Sequence, residues 1–443
     1  MIRAIRALVF VCLSCWLPAI AGIPIQHWTL PSGVQVYLVE SHSIAMVDMQ
    51  IDFDAGARRD PRDKSGLASV TAGMAAKGVE AAGAEPALDE NALSEAWADL
   101  GASFRASASA DRMGFNLRSL TYPDLLGKAV ALAGRQIGQP AFPLSIWLRE
   151  RERLVAALKE SNTRPATLAG RAFAAAVYGA HPYGFETTEQ TLSAIGVADM
   201  QAMYASLIRP CRAKVSIVGA VTRLQAQELL GVLFARLPAG TGACGPLPAI
   251  AQVQPLDQAS EQRIAFDSAQ AHVLLGQPGF KRDDPGFFAL TVGNYILGGG
   301  GFVSRLTAEV REKRGLSYSV YSYFSPGLHA GAFTLGLQTR PDQAVQALAV
   351  SREVLARFVA EGPTQAELDA AKGNLVGGFA LLIDSNQKLL GNVANIAWNR
   401  LALDYLDTWT QQVERVTVAD VRAAFSRVVQ PDRMVTVILG GSN

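Results

Sequence analysis

Histidine and cysteine, from which most zinc sites are built, are scarce in this chain of 443 residues: five His and four Cys. Chelating pairs are usually spaced a few residues apart on one element. His27, His42, His181, His272 and His329 include no two within five residues of each other, so no local pair exists. Cys12-Leu13-Ser14-Cys15 has the C-x-x-C spacing of a redox site, but lies in an uncharged N-terminal stretch. The run Gly298-Gly299-Gly300-Gly301 suggests a backbone cradle for phosphate, yet lacks the Gly-Lys-Ser/Thr that completes one. Arg149-Glu150-Arg151-Glu152-Arg153 reads as a solvated helix face. Arg311 and Tyr318 lie seven apart. A guanidinium and a phenol hydroxyl can donate to an oxygen that gains charge, where one donor is worth roughly 2.7–4 kcal/mol. The same residues also fit a charged helix face with Glu309, Glu312 and Arg314, followed by a tyrosine that opens a strand.

These residues need a scaffold, and the length already implies more than one core. The formal charge is 40 − 39 = +1 and 49% of residues are hydrophobic, which argues for a globular chain and against a nucleic-acid binder. Arg3 and Arg6 precede an uncharged Ala7–Ala21 that ends Ala19-Ile20-Ala21. That order reads as a signal peptide, residues 1–21, cleaved after Ala21. Export to the periplasm follows, with no membrane span after cleavage and with the C-x-x-C lost. Cys211 and Cys244 remain and are free to pair in an oxidising compartment or to stay as two buried thiols.

The organisation is a duplication. Val197-Ala198-Asp199-Met200-Gln201-Ala202-Met203-Tyr204 reads against Val418-Ala419-Asp420-Val421-Arg422-Ala423-Ala424-Phe425 at a constant offset (418 − 197 = 221). The match runs on through Pro210 and Pro431, Arg212 and Arg433, Ile217 and Ile438, Gly219 and Gly440. Each copy reads as a helix, a Pro turn and a buried strand. The segment 239–248, rich in Gly and Pro, reads as the linker between domains at 22–238 and 249–443. A hairpin over Trp28–Leu38 and a strand over Met46–Phe53 come early. Helices follow over Asp124–Ile137, Ile146–Glu160, Leu168–Ala175, Gln343–Glu361 and Gln365–Ile383. The expected fold is α+β: two homologous domains, each a mainly antiparallel sheet with helices packed on one face.

Several stretches resemble the pitrilysin/insulinase-type zinc peptidases, among them the mitochondrial processing peptidase. They are Asp54-Ala55-Gly56-Ala57-Arg58-Arg59-Asp60 with Ser65-Gly66-Leu67-Ala68, His181-Pro182-Tyr183-Gly184, Leu297–Gly301 with Ser304-Arg305-Leu306, and Arg311–Tyr318. The resemblance covers nearly the whole chain after the signal. Active members place H-x-x-E-H directly after Gly-Leu-Ala, two zinc ligands and a general base. Here Ser69 and Gly73 stand at the histidine positions and Ala72 at the glutamate. Counting back from Pro165 puts Ala157 at the third ligand position and leaves Glu150 at an auxiliary acidic one; Lys159-Glu160 lies a turn away.

The resemblance implies that this chain binds no cofactor and that Arg311 and Tyr318 contact the scissile carbonyl of a substrate held by a zinc-bearing partner. Gly298, Gly299, Gly300 and Gly301 would form a flexible loop near the substrate chamber. The function expected is that of the non-zinc subunit of a periplasmic heterodimeric peptidase acting on unfolded peptides, inactive alone, with a homodimer open to the isolated chain. The alternative is a pseudo-peptidase that binds peptide or serves assembly. A stand-alone zinc peptidase would instead purify with stoichiometric zinc.

Overall fold

A computed structural model describes residues 22–238 and 244–441; the expected signal peptide, 1–21, lies outside them. The first half carries strands Gln26–Thr29 (β1), Gln35–Glu40 (β2), Met46–Phe53 (β3), the short Gly78–Val79 (β4) and Leu88–Asp89 (β5), Ser103–Ala108 (β6), Met113–Leu120 (β7) and Lys214–Gly219 (β8). Its helices are Leu67–Met74 (α1), Glu90–Asp99 (α2), Pro123–Gly138 (α3), Leu144–Ser161 (α4), Pro165–Tyr178 (α5), Glu189–Ala194 (α6), Val197–Leu207 (α7) and Arg223–Phe234 (α8). The second half has strands Ser260–Ile264 (β9), Ala271–Pro278 (β10), Ser319–Phe324 (β11), Ala332–Thr339 (β12) and Val435–Leu439 (β13). Its helices are Phe287–Asn294 (α9), Ala344–Glu361 (α10), Gln365–Gly378 (α11), Asn386–Asn399 (α12), Tyr405–Arg415 (α13) and Val418–Val428 (α14).

The fold is α+β. The first sheet runs β1-β2-β8-β3-β7-β6 and the second β11-β12-β10-β13-β9. Each is antiparallel except for one pair, β2 with β8 and β9 with β13. That pair joins the half's first strand region to its closing strand, which the long chain between them allows. Buried residues alternate or run continuously along the central strands: Val47, Met49, Ile51 and Phe53 on β3 are inaccessible to solvent. The repeat extends well beyond the closing unit. Helices α3 and α10 (344 − 123 = 221) and α5 and α12 (386 − 165 = 221) begin at the offset already found for α7 and α14.

Most of each half's helices cover one face of its own sheet, building two large cores. The other face is covered from across the repeat. Helix α5 of the first half sets Ala169, Phe173 and Val177 against Val435, Val437 and Leu439 of the second sheet. Helix α12 of the second half sets Leu390, Val393, Ile396 and Ala397 against Tyr37, Val39 and Val218 of the first. Gly276 on β10 leaves room for this exchange, because a Cβ there would lie 2.7 Å from Phe173 Cζ and 2.0 Å from Phe333 O.

A polar contact joins the halves as well. Asp111, in the turn between β6 and β7, accepts from Tyr183 Oη (2.6 Å) and from Leu328 N (3.0 Å), and pairs with Arg58 (3.0 Å). Tyr183 Oη in turn accepts from His329 N (3.2 Å). The buried rings of His181 and His329 are 4.9 Å apart. Burial lowers the pKa of both imidazoles, as does the Arg58 charge. His181 Nδ1 accepts from Tyr183 N (3.1 Å), the local backbone role that a histidine before proline suggests. Cys211 and Cys244 pair, with Cα atoms 5.6 Å apart, tying the segment after α8 to the Pro turn before β8.

Candidate functional site

Helix α1 begins where Asp60 gathers free amides. Its carboxylate accepts from Gly66 N and Ala68 N, both at 2.9 Å, and Gly66 takes φ +104° to make the entry. Burial pushes this carboxyl up to about 6 even though the amides oppose it. Ser69 and Gly73, four apart, share one face of α1. They meet Glu150 and Ala157, seven apart on α4, across a cavity of about 390 Å³. The register counted back from Pro165 therefore brings both helices' positions together. Ala72 points elsewhere: it is inaccessible to solvent, within the first core.

The donor set does not fit zinc. Serine, glycine and alanine at positions 69, 73 and 157 offer no imidazole and no carboxylate. Glu150, which does, is taken up by Arg153 (2.7 Å) and Lys77 (3.5 Å). Burial raises its pKa, but these cations outweigh that and hold it low. Among the described residues no group of three or more His, Cys, Asp or Glu is placed to hold a metal.

The charged run is solvated at Arg149, Glu152 and Arg153, as its composition suggested, but not at Glu150. It is only 9% exposed. Lys77, Glu90, Arg149, Glu150 and Arg153 form one ion network, with Arg149 2.5 Å from Glu90 and Lys77 bonded to both carboxylates. Charge density marked a helix face; it did not show that one turn of that face meets α1.

The second cleft, about 530 Å³, is lined by Gly298, Gly299, Gly301, Phe302, Arg311 and Tyr318 among others. Arg311 lies in a π-helical turn, Thr307–Glu312, rather than on a regular helix. Such turns are frequent at functional sites. Beyond the turn, Gly315 takes φ +61°, which lets Leu316 N reach Val310 O (3.0 Å) and sends the chain back toward β11. The Arg311 guanidinium sits between two rings, 4.7 Å from that of Tyr318 and 4.8 Å from that of Phe302. Its Nη1 donates to Tyr318 O (3.2 Å) and its Nε lies 3.3 Å from Glu312. Tyr318 is 80% exposed and Phe302 73%. Arg314 and Lys313 bind Glu309 instead, so all three cations of the charged face have an acidic partner, and Arg311 alone of them also meets two rings.

The glycine run is packed rather than flexible over its first three residues. A Cβ at Gly298 would lie 2.5 Å from Ser322 N, at Gly299 2.7 Å from Asn294 Nδ2, and at Gly300 2.7 Å from Tyr295 O. Gly301 alone has open space, with φ +60°. Gly300 stands beside the cleft rather than among its lining residues. Phe302, which follows the run, was missed from sequence. An aromatic set directly after four glycines is the signal that could have found it.

A duplicated α+β chain whose cleft gathers the positions of a peptidase's zinc ligands, with no metal-holding group among the described residues, is the class these features define. Residues 194–375 match the family described as Peptidase M16 inactive domain. The crystal structure of a peptidase M16 inactive domain from Pseudomonas fluorescens superposes with a TM-score of 0.88 at 33% identity, over 95% of this chain and 98% of that one. The chain belongs to the M16 peptidase family. It is also 24% identical over 397 residues to the non-peptidase homolog YmxG of Helicobacter pylori, covering 88% of this chain and 87% of the relative. An uncharacterized zinc protease of Streptomyces coelicolor is 38% identical over 162 residues, 36% of this chain and 35% of its own length. The matches to the first curated relatives span between 35% and 62% of those proteins.

Proposed function

We propose that this chain is the non-zinc subunit of a heterodimeric peptidase exported to the periplasm, and that it acts on unfolded peptides. The zinc, in the partner subunit, would activate water and polarise the carbonyl. This chain's part is to present Arg311 and Tyr318 to the substrate. The observation that carries the reading is the stacking of Arg311 between Phe302 and Tyr318. The guanidinium is held by two rings, one backbone carbonyl and the Glu312 carboxylate, and the phenol is exposed to solvent. A donor held in place before the reaction costs no reorganisation when charge develops on the carbonyl oxygen. The Cys211–Cys244 pair is in keeping with an oxidising compartment, and the N-terminal segment supports export.

The test is reconstitution with an exported chain that carries H-x-x-E-H. Neither chain alone should cleave peptide and the mixture should. Arg311→Ala should leave the complex intact and lower kcat by roughly 10²–10³-fold. Cleavage by that mixture at the wild-type rate would remove Arg311 from the mechanism. The printed description of the H. pylori relative as a non-peptidase homolog favours a second reading, a peptide-binding or assembly subunit. It would be preferred if no H-x-x-E-H partner yields a cleaving mixture.

A further inference from the structure

We propose that the cleft between α1 and α4 is a binding site for the C-terminal residue of a peptide with an apolar side chain. The positions that would hold metal ligands here border the open side of a pocket. Gly73 has nothing within 4 Å of where a Cβ would stand, and Ser69 and Ala157 are small. The walls are apolar: Val70, Met74, Trp147, Leu154, Leu158 and Leu192. A volume of about 390 Å³ lies at the lower end of ligand pockets, about 300–1,000 Å³. It suits one bulky side chain with its backbone better than a long acyl chain.

The rim supplies the charge. Lys77 and Arg153 line the mouth, and with Arg149 they share only two carboxylates, Glu90 and Glu150. Three cations against two anions leave one positive charge beside an apolar hole. Arg153, with 66% of its side chain exposed, pairs with Glu150 at 2.7 Å. A ligand carboxylate would take Arg153 over, in a bond that charge on both partners strengthens, and leave Glu150 to Lys77 and Arg149. The hydroxyls of Ser69 and Thr187 line the same cleft. They provide partners for a peptide amide, for which a simple fatty acid has no use. The site requires neither Arg311 nor a second subunit, so it is independent of the heterodimer reading.

The experiment is calorimetric titration of the isolated full chain with N-acetyl-Leu-Phe, its C-terminal amide and octanoate. The acid should bind saturably, and the amide at least tenfold more weakly. Gly73→Leu places a side chain in open space and should abolish binding with an unchanged melting temperature. Arg153→Gln, at an exposed position, should reduce the acid to the affinity of the amide. If Gly73→Leu fails to fold, Arg153→Gln decides. No binding of the acid, equal binding of acid and amide, or retention of the difference in Arg153→Gln would overturn the proposal. Tighter binding of octanoate than of the peptide acid would overturn the peptide assignment.

Discussion

Helices α5 and α12 occupy equivalent places in the duplication, yet they hold the opposite sheet by different means. Helix α5 inserts a phenylalanine: Phe173 is buried against Gly276 on β10, and Tyr178 Oη, at the helix end, accepts from Ala332 N at 2.8 Å. The position matching Phe173 in α12 (173 + 221 = 394) is Ala394. Here smaller and aliphatic side chains, Leu390, Val393, Ile396 and Ala397, make the apolar contact and charge supplements it. Lys214 on β8 donates to the terminal carbonyls of Ala397 (2.7 Å) and Trp398 (3.2 Å), and Trp398 lies over both Lys214 and Arg112. A cation at a helix C-terminus answers the carbonyl end of the dipole. Burial presses the Lys214 ammonium down to about 8. Duplication therefore kept the exchange of helices and let its chemistry diverge.

The largest test of this exchange is to separate the halves. Residues 22–238 or 249–441 made alone should show no cooperative unfolding, because each sheet would bare the face its counterpart covers. A sharp melting transition in either half would show that the exchanged helix is dispensable. Within the intact chain, Phe173→Ala should cost about 3–5 kcal/mol in urea unfolding and Leu390→Ala on α12 about 2–5. The first should be the larger if apolar packing dominates at α5 only.

Removing the disulfide with Cys211→Ser should cost about 2–4 kcal/mol for a loop of 33 residues. Denaturation with and without reductant checks the same quantity in the wild type. The smallest effect concerns pH at the polar contact between the halves. His181 and His329 have lowered pKa values when folded, so the unfolded chain takes up protons first. Their contribution is full above the free-histidine value of about 6.5 and is lost as pH falls below it. Asp60 opposes them: its raised pKa of about 6 makes the folded state gain protons, and stability, as pH falls through that value. Melting temperatures between pH 8 and 5 should fall less in a His181→Gln/His329→Gln variant than in the wild type. An identical slope would clear the histidines of any role.

Much of the fold could be read from residues alone, since periodicity and turn formers are local signals. The expected Met46–Phe53 strand has those bounds, and α3, α4 and α10 lie within two residues of the expected helices at both ends. At the site, helical spacing fixes that Ser69 and Gly73 share one face and Glu150 and Ala157 another, while it was the resemblance to the zinc peptidases that implied the two faces meet. Three features were hidden for one reason: they depend on which distant segment lands opposite. Ala72 faces the core, Glu150 is drawn into an ion network with Lys77, and His181 meets His329 from 148 residues away (329 − 181 = 148). The exchange of α5 and α12 is hidden likewise, because an amphipathic helix does not name the sheet it covers.

The exchange also sets the order in which the chain can finish folding. The first sheet has all its strands within residues 26–219, but its covering helix ends at Asn399, 180 residues later (399 − 219 = 180). A chain exported as proposed folds after it has crossed the membrane, and the face of Tyr37, Val39 and Val218 stays uncovered until α12 has crossed too. A helper that shields apolar surface in the receiving compartment should therefore raise the yield of folded protein, and its removal should lower it.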